Sequence, residues 1–197
     1  MRSLTLVALL ICVLALPACA AAQQDQKLTR VVIETDKGVI ELEVDATHAP
    51  VTAANFLRYV DGHFYDGGSI YRTVRPDNQH AAKVPIAVIQ ADVPPEKEKQ
   101  VFAAIPLERT SLTGLKHVDG AISMARDGPD TATSSFFLCI GDQPELDFGG
   151  RRNPDGQGFA AFGRVVRGMD VVRAIQMSDA DGENLTPPIK ILRVRRK

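Results

Sequence analysis

The sequence has no tryptophan and only three cysteines among its 197 residues. Three cysteines are too few for a small fold held by several disulfides, or for a four-cysteine zinc site. The chain also lacks an excess of either charge, because 24 acidic side chains nearly balance 23 basic ones, and this argues against a nucleic-acid partner. With no internal repeat and a hydrophobic fraction of 45%, the chain is typical of one globular domain.

Histidine is scarce as well, and the four histidines are spaced too widely to form a helical pair of metal ligands. Residues 179–184 contain part of a calcium-loop pattern, but Gly182 falls at the fourth position instead of the sixth and no glutamate follows at the twelfth. Gly156 and Gly158 lack the third glycine of a dinucleotide-binding loop. The sequence therefore predicts no metal ion and no cofactor.

The N-terminal segment has the layout of a secretory signal. Arg2 precedes an apolar run over residues 4–16, and small residues follow over 18–22. The apolar run is shorter than the roughly 20 residues that span a bilayer, so a membrane-spanning anchor is the weaker interpretation. We expect residues 1–22 to be a signal peptide and the mature protein, beginning at Gln23, to be periplasmic.

A second interpretation of the same segment ends the signal before Cys19. Residues 16–19, Leu-Pro-Ala-Cys, resemble the lipobox of bacterial lipoproteins, in which the cysteine is acylated and tethers the protein to a membrane. Both interpretations stay open. The mature fold then holds one ordinary cysteine, Cys139, whose apolar neighbours predict burial in the core.

Periodicity along the rest of the chain predicts a mainly β domain over residues 30–197, preceded by a flexible lead over 23–29. Apolar residues at helical spacing predict two helices, one beginning at Pro50 and ending near Asp61, the other over 168–177. A proline-led charged stretch over 94–99 predicts a loop. Strands are predicted over 30–35, 40–44, 69–74, 85–90, 120–124, 136–140, 159–166 and 189–194.

Six ordered segments have few ionisable and many apolar residues. They are FYDGGSIYRTV (64–74), VIQ (88–90), GAISMAR (120–126), TSSFFL (133–138), LD (146–147) and FGRV (162–165). Their order, their content and the spacing from the third segment onward resemble the cyclophilin family of peptidyl-prolyl cis/trans isomerases. The resemblance runs from about residue 31 to residue 194, which is nearly the whole mature chain.

The resemblance implies a closed eight-stranded antiparallel β-barrel capped by two α-helices. It implies isomerisation of X-Pro bonds during protein folding in the cell envelope, without a cofactor or metal. The substrates would be unfolded or extended proline-containing polypeptides, and the protein would act as a monomer.

The resemblance implies which residues form the site, because each matches a position in one of the family's motifs. Arg72 matches the catalytic arginine, and Gln90 a glutamine that orients the arginine and the peptide. Phe137 matches the phenylalanine that floors the proline pocket, while Val88 and Leu146 match its walls.

Four further positions complete the predicted site. Ala125 and Arg126 match the segment whose backbone holds the residue before proline. Ser135 and Phe159 stand where the family usually has a glutamine and a histidine. The neighbouring Phe136 is expected to be a core residue.

Other departures weaken the predicted pocket. Tyr71 and Glu145 replace a histidine and a tryptophan, an insertion occupies residues 75–84, and the pocket phenylalanine aligns with Ala87. Losing one aromatic contact would cost about 1–3 kcal/mol of apolar burial, so we expect reduced activity. The alternative interpretation is a catalytically weak peptide-binding scaffold or chaperone. A serine hydrolase has little support, because Ser134 and Ser135 lack a Gly-x-Ser-x-Gly frame.

Overall fold

The computed structural model describes residues 28–79 and 82–197. The predicted signal over residues 1–22, with the lipidation position Cys19, lies outside the described residues, as do residues 23–27 of the predicted lead. The first strand begins at Leu28, two residues before the predicted start of the domain.

Eight strands close into an antiparallel barrel in the order β1-β2-β7-β5-β6-β4-β3-β9, with β9 pairing back onto β1. A ninth strand, β8, has two residues and pairs only with β9. The closed eight-stranded barrel predicted from the sequence is confirmed. The strands are β1 (Leu28–Thr35), β2 (Gly38–Asp45), β3 (Ser69–Val74), β4 (Val88–Asp92), β5 (Ala121–Met124), β6 (Phe136–Cys139), β7 (Ala160–Arg167), β8 (Ala180–Asp181) and β9 (Asn184–Arg196).

Both predicted helices are present, as α1 (Pro50–Asp61) and α3 (Met169–Gln176). A one-turn helix, α2 (Thr110–Thr113), was not predicted, and it is too short to show a hydrophobic period. The loop predicted over 94–99 is wrong, because Pro95–Gln100 forms a 3-10 helix. Proline suits the first turn of a helix, where its missing N–H is not needed. Within the described ranges, no helix has the length and apolarity that a bilayer crossing requires.

The interior of the barrel is filled by aromatic and branched aliphatic side chains. Phe56 of α1 is fully buried, and its ring centroid lies 5.2–5.5 Å from those of Tyr65, Phe136 and Phe162. Phe136 is therefore a core residue, as predicted. The N-terminus of α1 is held by Glu108, whose carboxylate accepts hydrogen bonds from two of its first backbone N–H groups.

A second apolar cluster lies apart from this core. It contains Cys139, whose burial confirms the prediction and raises the pKa of its thiol, as expected for an unreactive core cysteine. Four of its buried members, Ile86, Val88, Phe137 and Leu146, line the site described next. Its buried members are Val74, Ile86, Val88, Ala121, Phe137, Cys139 and Leu146.

Candidate functional site

A cavity of about 460 Å³ lies over β3, β4 and β6. All nine residues that the sequence predicted for the site line it, although they come from six separate segments of the chain. These are Arg72, Val88, Gln90, Ala125, Arg126, Ser135, Phe137, Leu146 and Phe159.

A β-bulge in β3 aims Arg72 at the cavity. The register of β3 shifts between Ile70 and Arg72 against both of its neighbours, β4 and β9. Regular alternation would place Arg72 on the same face as Ile70, which is buried in the barrel core. The extra residue, Tyr71, changes this alternation, so that Tyr71 and Arg72 both line the cavity.

The guanidinium of Arg72 is held from two sides. Its Nη1 donates to Oε1 of Gln90 at 2.8 Å, and its Nε donates to Oε2 of Glu183 at 2.8 Å. Nε2 of Gln90 in turn donates to the Ser135 hydroxyl at 3.0 Å. The Arg72 side chain is 31% exposed, so the positioned cation still reaches the open cavity.

Glu183 was missed by the sequence analysis because no motif or period marks it. In β3, Arg72 pairs with Gln90 of β4 on one side and with Asn184 of β9 on the other. Gly182, with φ at 58°, makes the tight turn between β8 and β9, and this turn places Glu183 beside Arg72.

Glu183 is expected to reduce the effect of Arg72 on a substrate, because its negative charge offsets the potential of the guanidinium. We expect Glu183→Gln, which keeps an oxygen acceptor but removes the charge, to raise kcat/KM about threefold at low salt. The measurement is X-Pro exchange by NMR over a range of ionic strength. A fall in kcat/KM would mean that the ion pair is needed to position Arg72.

The apolar floor is set by two perpendicular rings. The centroids of Phe137 and Phe159 are 5.3 Å apart with an interplanar angle of 88°. Ile86, which is 7% exposed, lines the cavity beside them, whereas Ala87 does not. The side-chain amide of Gln79, in the inserted segment, donates to the Ile86 carbonyl and accepts a hydrogen bond from the Ile86 N–H. The insertion therefore holds an aliphatic side chain in the pocket.

A Ser–His–Asp hydrogen-bond chain lies behind the floor. Nδ1 of His117 is 2.8 Å from Asp147, and Nε2 is 2.9 Å from the Ser123 hydroxyl. Although burial opposes it, hydrogen bonding with His117 lowers the pKa of Asp147. Ser123 is fully buried and no substrate could reach it, so this chain gives no support to a hydrolase. The His117 ring instead stacks on Phe137, with centroids 6.0 Å apart.

The Arg126 side chain forms part of the wall and is not a free cation. It donates to both carboxylate oxygens of Asp155, at 2.7 and 2.9 Å, and to the carbonyl of Gly158 at 2.7 Å. Its guanidinium carbon also lies 5.1 Å from the centroid of Phe159. These contacts fix the loop over residues 149–158 against the end of β5.

Asp92 adds a half-buried carboxyl to the cavity wall. Burial raises its pKa above the ordinary value, although the Ser134 hydroxyl and the Val93 N–H both donate to its Oδ1. A raised pKa in the folded state means that ionisation favours unfolding. The carboxyl therefore contributes stability that is present at low pH and lost as the pH rises through the folded-state pKa.

We expect Asp92→Asn, which keeps Oδ1, to raise the free energy of unfolding near about pH 7 and to change it little near about pH 3. Chemical denaturation at the two pH values measures this difference. Asp77→Asn, at an exposed aspartate, is the matched control. An equal loss of stability from Asp92→Asn at both pH values would contradict the prediction.

Several lining residues were not predicted as site residues. Arg152 and Asn153 come from the glycine-rich loop, where the sequence gives no periodic signal. Glu145 does not line the cavity and instead pairs with Arg151 at 2.7 Å. The unpredicted lining residues are Tyr71, Ile86, Asp92, Asp127, Thr131, Thr133, Arg152 and Asn153.

Comparison with known proteins agrees with this geometry. Residues 30–196 match the family model "Cyclophilin type peptidyl-prolyl cis-trans isomerase/CLD". The chain is 34% identical to peptidyl-prolyl cis-trans isomerase A of Dickeya dadantii over 183 residues, covering 92% of this chain and 88% of the relative. It is 31% identical to isomerase B of Escherichia coli over 147 residues, covering 74% and 83%.

Solved structures support the same fold. A cyclophilin-type isomerase of Cryptosporidium parvum superposes with a TM-score of 0.69 at 19% identity, covering 86% of this chain and 98% of that one. The same protein has been solved in the presence of the dipeptide Ala-Pro, with a TM-score of 0.67. The chain belongs to the cyclophilin-type peptidyl-prolyl cis-trans isomerases, and its activity is the isomerisation of peptide bonds that precede proline.

Proposed function

We propose that the cavity binds an extended polypeptide with its proline ring on the apolar floor and the prolyl nitrogen facing Arg72. Phe137, Val88 and Leu146 supply the surface for the ring. Ala125 and Arg126 hold the residue before proline, and Gln90 orients both the arginine and the peptide. The structure of the Cryptosporidium relative that was solved in the presence of the dipeptide Ala-Pro supports a substrate of this class.

Rotation about the X-Pro bond is slow because amide resonance gives it partial double-bond character, with a barrier of about 20 kcal/mol. A hydrogen bond from Arg72 to the prolyl nitrogen stabilises the twisted state, in which that nitrogen regains its lone pair. This hydrogen bond is weaker when the amide is planar, in the cis or the trans form, and it therefore lowers the barrier between the two. No nucleophile or proton transfer is needed.

One observation carries this mechanism: the Arg72 guanidinium is fixed by Gln90 and Glu183 above an apolar floor and still faces the open cavity. The test is cis/trans exchange of short X-Pro peptides by NMR with the purified protein. Acceleration at catalytic protein concentrations is the expected result. A peptide that binds without faster exchange would instead favour the scaffold or chaperone interpretation.

We also propose that the protein is exported and acts on envelope proteins as they fold, since unaided X-Pro isomerisation takes tens of seconds and limits folding. The signal-like layout of residues 1–22 supports export. Mass spectrometry of the protein isolated from its own cells tests this. A mature start at Gln23 indicates a soluble periplasmic form, an acylated Cys19 indicates a tethered one, and an intact N-terminus on protein recovered from the cytoplasm contradicts export.

A further inference from the structure

The cavity carries charge of opposite sign at its two ends. Val88, Gln90 and Asp92 alternate along the cavity face of β4, so Val88 and Asp92 lie about 13 Å apart at the usual rise of a strand. Asp127 lies near the Asp92 end, because the N–H of Ala125, two residues before it, donates to the Ser135 carbonyl, and the adjacent Ser134 hydroxyl donates to Asp92.

Arg152 lies at the opposite end, beyond Val88. Its Nη1 donates to the Val84 carbonyl at 2.8 Å and to Oε1 of Gln79 at 3.3 Å. Val84 is two residues before Ile86, which lines the cavity next to the pocket floor. The two ends of the cavity therefore differ in the charge that they present to a bound chain.

Three arginines line the cavity, and two of them have carboxylate partners. Arg72 pairs with Glu183, and Arg126 pairs with Asp155. In the described part of the chain, no ion pair includes Arg152, and neither its Nε nor its Nη2 has a hydrogen-bond partner there. A guanidinium with unused donors in a half-buried wall is suited to binding a carboxylate.

The backbone holds Arg152 in this position before any ligand arrives. Its N–H donates to the Glu145 carbonyl at 3.1 Å. Gly150 packs so closely on the Glu145 backbone that a Cβ there would overlap it. Burial, and then the positive charge of Arg72, lowers the pKa of Arg152, although the carboxylate of Glu183 acts in the opposite direction. A side chain fixed in advance loses less entropy on binding.

We propose that Arg152 is a specificity-determining residue that binds a carboxylate on the residues following proline in the substrate. The inference rests on the proposed function, in which Ala125 and Arg126 hold the residue before proline. The chain after proline then leaves toward Arg152. An acidic residue before proline lies instead toward Asp127 and Asp92, where it gains no attraction.

The test compares blocked peptides that carry glutamate or glutamine directly after proline, by NMR exchange at low salt with the full chain. We expect kcat/KM to be about fivefold higher for the glutamate peptide, and this ratio to fall as salt is added. Arg152→Gln should bring the ratio to about one, and Arg152→Lys should keep part of it. Arg151→Gln, at an adjacent arginine outside the cavity, should leave the ratio unchanged.

Because the readout is a ratio within each variant, a general loss of activity in Arg152→Gln does not affect it. A wild-type ratio of one, or an undiminished ratio in Arg152→Gln, overturns the role of Arg152. An equal preference for glutamate placed before proline overturns the direction of binding. If neither peptide is accelerated, the proposed isomerase mechanism itself fails, whereas acceleration of both without discrimination rejects only this inference.

Discussion

Arg72→Ala is expected to lower kcat/KM for X-Pro isomerisation by about 10²–10³-fold, the usual cost of removing a positioned donor from a site where charge develops. Arg72 contacts Gln90 and Glu183 and lines the cavity. Its loss removes the group that stabilises the twisted amide but leaves the apolar floor in place. NMR exchange rates, with peptide affinity measured alongside, separate these two contributions.

A control variant and a stability measurement make this result specific. Arg195→Ala, at an exposed arginine on β9 that pairs with Glu34, should leave the exchange rate unchanged. Because the Arg72–Glu183 pair is partly exposed, Arg72→Ala should lower the free energy of unfolding by less than about 1 kcal/mol. Retention of near wild-type activity in Arg72→Ala would reject arginine catalysis in this protein.

Phe137→Ala is expected to damage both stability and activity. The side chain is 5% exposed, and its loss should lower the free energy of unfolding by about 3–5 kcal/mol. The proline ring would also lose its floor, which should reduce kcat/KM by about ten- to a hundredfold. Exchange is measured at a temperature where denaturation curves show the variant to be folded.

Phe136 is the matched control, since it is the preceding residue on β6 and points to the opposite face. It contacts Phe56 and Tyr65 inside the barrel and does not line the cavity. Phe136→Ala should lower the free energy of unfolding by a similar amount, while the molecules that remain folded keep the wild-type kcat/KM. If the two variants lose activity in equal measure, Phe137 has no binding role beyond packing.

The sequence alone determined the fold and most of the site. Apolar residues marked the strands of the barrel, in alternation with polar residues in β1 and β2 and as a continuous run in β6, although β4 begins three residues later than predicted and β9 is longer than predicted. Strand β9 was underestimated because Pro187 and Pro188 interrupt its pattern and only one residue in three or so is buried. The six ordered segments contain eight of the nine predicted residues that line the cavity, and the ninth, Phe159, lies just before the last segment.

Only the tertiary structure decided how these residues face one another. The bulge at Tyr71 depends on the register of β3 against two neighbouring strands, which local propensity does not encode. The Arg72–Glu183 pair joins residues 111 positions apart in sequence. Arg152 reaches the cavity because its loop packs on an insertion without periodic pattern. Local sequence specifies elements and their buried faces, whereas charge contacts between loops arise only once the barrel closes.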